Sequence, residues 1–102
     1  MKFIEVCALK DIPPGTSRAV RAGAADVAIF NMDGALHAME NSCLHAGASL
    51  AGGTLCGNVV SCPAHGWRYN VTTGALVVAP AMRVRTFPVE VNDGKVMVGM
   101  DA

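Results

Sequence analysis

The sequence predicts an all-β fold, a small antiparallel sandwich or barrel. Turn residues punctuate the chain roughly every eight to twelve positions. Three glycine-containing pairs, Asp33-Gly34, Gly57-Asn58 and Asp93-Gly94, separate short apolar runs at hairpin spacing. No segment joins helix caps to a 3.6-residue apolar period, and Ala51-Gly52-Gly53 interrupts the best helical candidate.

Taken in order, Phe3 to Leu9 is apolar and rich in β-favouring residues, and Ile12-Pro13-Pro14-Gly15 stops it. Ser17 to Ala22 forms a second strand. Ala25 to Phe30 and Ala35 to Met39 flank Asp33-Gly34, which accepts the positive φ angles of a tight turn. Thr54 to Cys56 and Val59 to Ser61 make the next hairpin around Gly57-Asn58. Trp67 to Val71 runs into the turn Thr72-Thr73-Gly74, and Ala75 to Val78 follows. Val84 to Val91 and Lys95 to Met100 close the chain around Asp93-Gly94. The pattern shows no internal repeat and no linker.

Length and charge narrow the function. With 102 residues the chain is expected to be a single domain, 1–102, with no room for a second catalytic domain. A 52% apolar content excludes a disordered chain, because there is ample surface to bury. Eight basic residues balance eight acidic ones, so neither nucleic acid nor an anionic membrane is expected as a partner. The charges are unevenly spread: between Asn41 and Met82, Arg68 is the only charged residue. Glycines, prolines and histidines run through that stretch, so it cannot stay helical in lipid. Glu5 and Lys10 interrupt the apolar run that a signal peptide would need. The expectation is a soluble, cytoplasmic protein, a compartment where cysteines serve more often as metal ligands or redox thiols than in disulfides.

Two clusters inside the uncharged stretch carry the chemistry: Cys43-Leu44-His45 and Cys62-Pro63-Ala64-His65. Each offers one thiol and one imidazole at a spacing that a tight loop can aim at one point. Several readings fit those residues. They are unrelated core cysteines and surface histidines, a Cys₂His₂ zinc site, a Cys–His catalytic pair, or a mixed-ligand iron–sulfur centre. Structural zinc loops usually open with C-x₂₋₄-C rather than C-x-H, and no third group is evident to orient a catalytic histidine.

The pattern C-x-H-x₁₆-C-x-x-H, here CLHAGASL…CPAHGWRYN, closely resembles the Rieske [2Fe–2S] motif. The resemblance implies that Cys43 and Cys62 bind one iron and His45 and His65 the other. It makes residues 41–82, approximately, a cluster-binding part built from loops between hairpins of a Rieske-type β-sandwich. Leu36 to Asn41 resembles the strand entering the first loop, and Thr73-Gly74-Ala75 the turn after the second. Ala79-Pro80-Ala81 resembles a third, proline-containing loop that covers the cluster. Two ferric ions, two sulfides and two thiolates carry no net charge when the histidines are neutral. Such a centre accepts an electron more easily than a four-cysteine cluster, in the range of roughly −150 to +300 mV.

Rieske proteins of quinol-oxidising respiratory complexes carry an additional cysteine in each loop. The matching positions here are Ala48 and Ala64, and Trp67 stands where those proteins place a serine donor. Tyr69 remains where their tyrosine sits. The resemblance therefore implies a potential toward the low end and narrows to the soluble Rieske ferredoxins of bacterial oxygenase systems. In those systems a flavin-dependent, NAD(P)H-oxidising reductase passes electrons to the ferredoxin. The ferredoxin then reduces a terminal oxygenase, commonly an aromatic-ring-hydroxylating dioxygenase of aromatic hydrocarbon catabolism. The expected role is electron carrier rather than enzyme, with no catalytic residue of its own. A small Rieske subunit of another redox enzyme, such as nitrite reductase, and a zinc-stabilised binding module are the alternatives.

Other residues have plainer readings. Cys7 is a small buried hydrophobe in an apolar strand, Cys56 a partly exposed hairpin residue, and His37 a boundary histidine. Trp67 packs beneath the cluster or contributes to docking. Leu44, Ala46, Gly47 and Ala64 make an apolar tip suited to the close approach of another protein. Arg83 and Arg85 belong to a solvated strand face.

Overall fold

The computed structural model describes residues 1–44, 47–64 and 66–100. Twelve strands account for most of them: β1 Lys2–Ala8, β2 Ser17–Ala22, β3 Ala25–Met32, β4 Ala35–Glu40, β5 Thr54–Cys56 and β6 Val59–Ser61, then β7 Arg68–Asn70, β8 Ala75–Leu76, β9 Ala79–Arg83, β10 Thr86–Phe87, β11 Val89–Asn92 and β12 Lys95–Met100. One turn of 3₁₀ helix, Leu9–Asp11, precedes the Pro13-Pro14 stop. Among the described residues there is no helix long and apolar enough to cross a bilayer.

The strands form three antiparallel sheets, ordered β1-β12-β11, β10-β4-β3-β2 and β5-β6-β7-β8-β9. Strand β3 explains how they stack. Val27, Ala28, Ile29 and Phe30 are all fully buried, although a strand alternates its side chains between two faces. Val27 and Ile29 enter one core with Ala38, Phe87, Val96 and Val98. Ala28 and Phe30 enter a second with Met39, Cys43, Val60, Cys62 and Tyr69. The register agrees, pairing Ile29 with Ala38 and Ala28 with Met39. The β3–β4 sheet therefore lies between the other two. The continuous apolar run in β3 is the signature of burial on both faces, each large side chain contributing about 2 kcal/mol.

Turn chemistry sets the hairpins. Asp33 (φ 55°) and Asp93 (φ 51°) adopt the left-handed conformation ahead of Gly34 and Gly94, as a two-residue hairpin loop requires. Buried Asn31 locks the first of these, its Nδ2 donating to the Ile12 carbonyl and its Oδ1 accepting from Gly34 N–H, both at 2.7 Å.

Three expected elements differ. The single strand expected from Val84 to Val91 is split at Pro88, which has no N–H for a ladder. On one side β10 pairs with β4, and on the other β11 pairs with β12, so the chain changes sheets at the proline. The segment expected to be a covering loop, Ala79-Pro80-Ala81, lies within strand β9, which pairs with β8 across an irregular register. The turn is instead Val77–Val78, so the strand expected to reach Val78 stops at Leu76.

Candidate metal centre

Cys43 and Cys62 lie in loops that leave and re-enter sheets facing the second core. The first loop follows β4. Its base is clamped by Asn41, whose N–H donates to the Asp26 carbonyl at 3.1 Å. The Asn41 Oδ1 accepts from Ala51 N–H at 2.8 Å and from the Ser49 hydroxyl at 2.9 Å. The second loop joins β6 to β7.

The two loops are closed by the same pair of backbone hydrogen bonds. Cys43 N–H donates to the Ala48 carbonyl (2.8 Å), and Gly47 N–H donates to the Cys43 carbonyl (2.7 Å). In the second loop Cys62 N–H donates to the Trp67 carbonyl (2.7 Å), and Gly66 N–H donates to the Cys62 carbonyl (2.8 Å). Each closure needs a left-handed residue four positions after the cysteine, supplied by Gly47 (φ 69°) and Gly66 (φ 74°). The repeated Cys-x₃-Gly spacing, which the reading of ligand types alone passes over, is the sequence signal for this duplicated turn.

Tyr69 ties the loops together. Its hydroxyl accepts from Leu44 N–H at 2.9 Å and lies 3.4 Å from Cys43 Sγ. When Cys43 is ionised as a metal ligand it has no proton to give, and the phenol is then the donor to the sulfur. Burial pushes the Tyr69 pKa up to about 12, with the bond to Cys43 and the charges of Cys43 and Cys62 adding to the shift, so the phenol stays a donor at neutral pH.

Burial separates sulfurs from loop tips. Cys43 and Cys62 are 1% and 2% exposed and sit in one core with Tyr69, Leu50 and Val60. Leu44, Gly47, Pro63, Ala64 and Gly66 are exposed. Trp67 is half-buried and packs on the core that holds both cysteines. The apolar tip expected around the loops includes Leu44, and the Val77–Val78 turn is exposed as well, with Val78 80% accessible. His45, Ala46 and His65 lie outside the described residues, and among the described residues no group of three or more His, Cys, Asp or Glu side chains converges.

The remaining candidates stay apart from this centre. Cys7 is half-buried on β1, packed on the first core, with its thiol pKa raised chiefly by burial. Cys56 is exposed on β5, and His37 is half-buried on β4. None of the four cysteines is joined in a disulfide.

Two buried thiols in duplicated turns, with a phenol between the loops and no disulfide, define a site for a soft metal or an iron–sulfur centre held by thiolates. The sequence profile of the Rieske [2Fe–2S] domain matches residues 2–88, and the chain belongs to that family. The ferredoxin CarAc of Metapseudomonas resinovorans is 43% identical over 98 residues, spanning 94% of this chain and 92% of the relative. The ferredoxin component of a naphthalene 1,2-dioxygenase system from Pseudomonas putida is 33% identical over 101 residues, covering 98% and 97%. A solved complex of reduced oxygenase and oxidized ferredoxin in carbazole 1,9a-dioxygenase contains a chain that superposes with a TM-score of 0.83 at 43% identity. That match covers 94% of this chain and 91% of the solved one. The cofactor of this chain is accordingly a Rieske-type [2Fe–2S] cluster.

Proposed function

We propose that Cys43, His45, Cys62 and His65 hold the cluster, and that residues 1–102 form one domain with 41–82 as its cluster-binding part. The chain acts in the cytoplasm as the one-electron carrier between a flavin-dependent, NAD(P)H-oxidising reductase and the terminal oxygenase of an aromatic-ring-hydroxylating dioxygenase system. It performs no catalysis of its own, and nucleic acid and membrane play no part in its function. The observation that carries this reading is the duplicated Cys-x₃-Gly closure around two buried thiols, in a chain 43% identical to the ferredoxin CarAc.

The donor set fits the group. When bound, the cluster supplies one reversible electron at a time. The chain's residues set the conditions for that exchange. Cys43 and Cys62 present thiolates from a site that water does not reach. Tyr69 donates to Cys43 Sγ, a bond that strengthens when negative charge is added beside the sulfur. Leu44 N–H holds the phenol in that orientation.

Chemical analysis and turnover test the assignment. The purified protein is expected to contain two irons and two acid-labile sulfides per chain, and to give the rhombic EPR signal of a reduced Rieske centre. It is expected to support product formation with the reductase and oxygenase components of the carbazole or naphthalene system. Zinc without sulfide overturns the cluster, and an intact cluster with no turnover in either system overturns the oxygenase role.

The hydrogen bond of Tyr69 makes a second prediction. Tyr69→Phe is expected to keep the cluster and lower its potential by about 40 mV, the one-electron equivalent of roughly 1 kcal/mol. Protein-film voltammetry on the two proteins measures it, and an unchanged potential would show that the phenol only fills space.

A further inference from the structure

Zero net charge conceals a separation of charge. From position 41 to 85 the only charged residues are Arg68, Arg83 and Arg85, and all eight acidic residues lie outside that interval. The sheet β5-β6-β7-β8-β9 carries this basic segment. Its inner face holds Val60, Tyr69 and Leu76, all buried. Cross-strand pairing of Ser61 with Arg68, Val59 with Asn70 and Ala75 with Arg83 places those residues on the outer face. Both Arg68 and Arg83 are exposed, and Arg68 begins the strand immediately after the second cysteine loop.

Between the arginines the outer face is apolar rather than charged. Val59, Ala75, Val77 and Pro80, with the polar Asn70 and Thr73, line a shallow groove of about 350 Å³. Arg85, also exposed, stacks 4.9 Å from the centre of the Phe87 ring. Glu40 is the acid nearest in sequence to the first loop, and its carboxylate accepts from Arg85 N–H. Arg21 and Asp26 form an ion pair at 2.9 Å in the β2–β3 hairpin of another sheet.

We propose that the outer face of this sheet, from the second cysteine loop across Arg68, the apolar groove and Arg83, docks an acidic patch on a redox partner protein. Charge complementarity selects the occupant: carboxylates to meet the two guanidiniums, around an apolar ridge that fills the groove. A neutral molecule gains no steering from its net charge, but a basic pole on the cluster-bearing half turns that half toward an acidic surface during encounter. The proposal rests on the electron-carrier reading and specifies the chemistry of the partner's surface.

The test is stopped-flow electron transfer from the dithionite-reduced holoprotein, first to ferricyanide and then to the oxygenase component that supports turnover. Wild type is expected to slow several-fold as NaCl rises from about 10 to about 300 mM, because the attraction is screened. At low salt the pair Arg68→Glu with Arg83→Glu is expected to slow about tenfold with both acceptors and to lose that salt response, while the Gln pair falls between. Iron, sulfide and dithionite reduction are expected to match wild type in every variant. Rates to the oxygenase that ignore the reversal, or that rise with salt in wild type, overturn the docking surface. Absence of iron and sulfide from wild type would instead fail the electron-carrier reading, before any variant is made.

Discussion

Cys43→Ser and Cys62→Ser are each expected to yield a folded protein without a cluster, whereas Cys7→Ser and Cys56→Ser are expected to retain it. Serine is close in size to cysteine, so the turns that Gly47 and Gly66 close can still form. The hydroxyl, however, is not ionised at neutral pH and is a poor ligand for iron that is also bound to sulfide. Burial of the new hydroxyl costs about 1–3 kcal/mol unless it finds a partner. Circular dichroism therefore checks that each fold survives, while iron content and visible absorption report the cluster. Iron is expected to fall below roughly a tenth of wild type in the first two variants, since holding the cluster requires the thiolates. Cys56 is exposed on β5 and Cys7 packs on the core remote from Tyr69, so neither substitution touches the site. Full cluster content in Cys62→Ser, or its loss in Cys56→Ser, would contradict the proposed ligands.

Local chemistry was legible and long-range pairing was not. Asp33-Gly34, Gly57-Asn58 and Asp93-Gly94 each close a hairpin where the residues demand one, because a two-residue turn needs positive φ and few residues provide it. The ends of β5, β6 and β12 follow from those turns. The break at Pro88 was present in the residues, yet an apolar run on both sides of it reads as one strand. Only the competition between β4 and β12 for its two halves decides otherwise. Strand β9 carries Pro80, Met82 and Arg83 with no period-two pattern, since its exposed residues face solvent beside a short partner.

The centre divides in the same way. Ligand types and spacing pick out Cys43 and Cys62, and the structure brings both into one core. The phenol bridge between Tyr69 and Leu44 spans 25 positions, and no local pattern predicts it. Asn41 was similarly hidden: a polar residue before a loop is common, and its role depends on Asp26, Ser49 and Ala51 arriving around it. The uncharged stretch from Asn41 to Met82 spans both loops, and its lone Arg68 stands on the outer face of the sheet rather than in the core.

The adjacent glycines 52 and 53 are expected to respond to alanine in different ways, and the difference tests how the first loop bears on the second. Gly52 has φ +86° and open space where a Cβ would lie, so Gly52→Ala costs only the backbone preference, about 1 kcal/mol. Gly53 is not left-handed, but a Cβ there would collide with the Ser61 carbonyl, and would meet Val60 Cγ2 at 2.9 Å and the Leu50 carbonyl at 3.1 Å. Backbone atoms cannot rotate away as a flexible side chain can, so Gly53→Ala is expected to cost about 3 kcal/mol. Thermal unfolding of the holoproteins should show losses of roughly 4 °C and at least about 10 °C respectively. Ser61 directly precedes Cys62, so displacing its carbonyl shifts the second cysteine turn as well. Gly53→Ala is therefore expected to release iron faster than Gly52→Ala when both are challenged with a chelator below their melting points. Equal melting losses, or equal iron release, would mean that the close approach of Gly53 to β6 places no constraint on the centre.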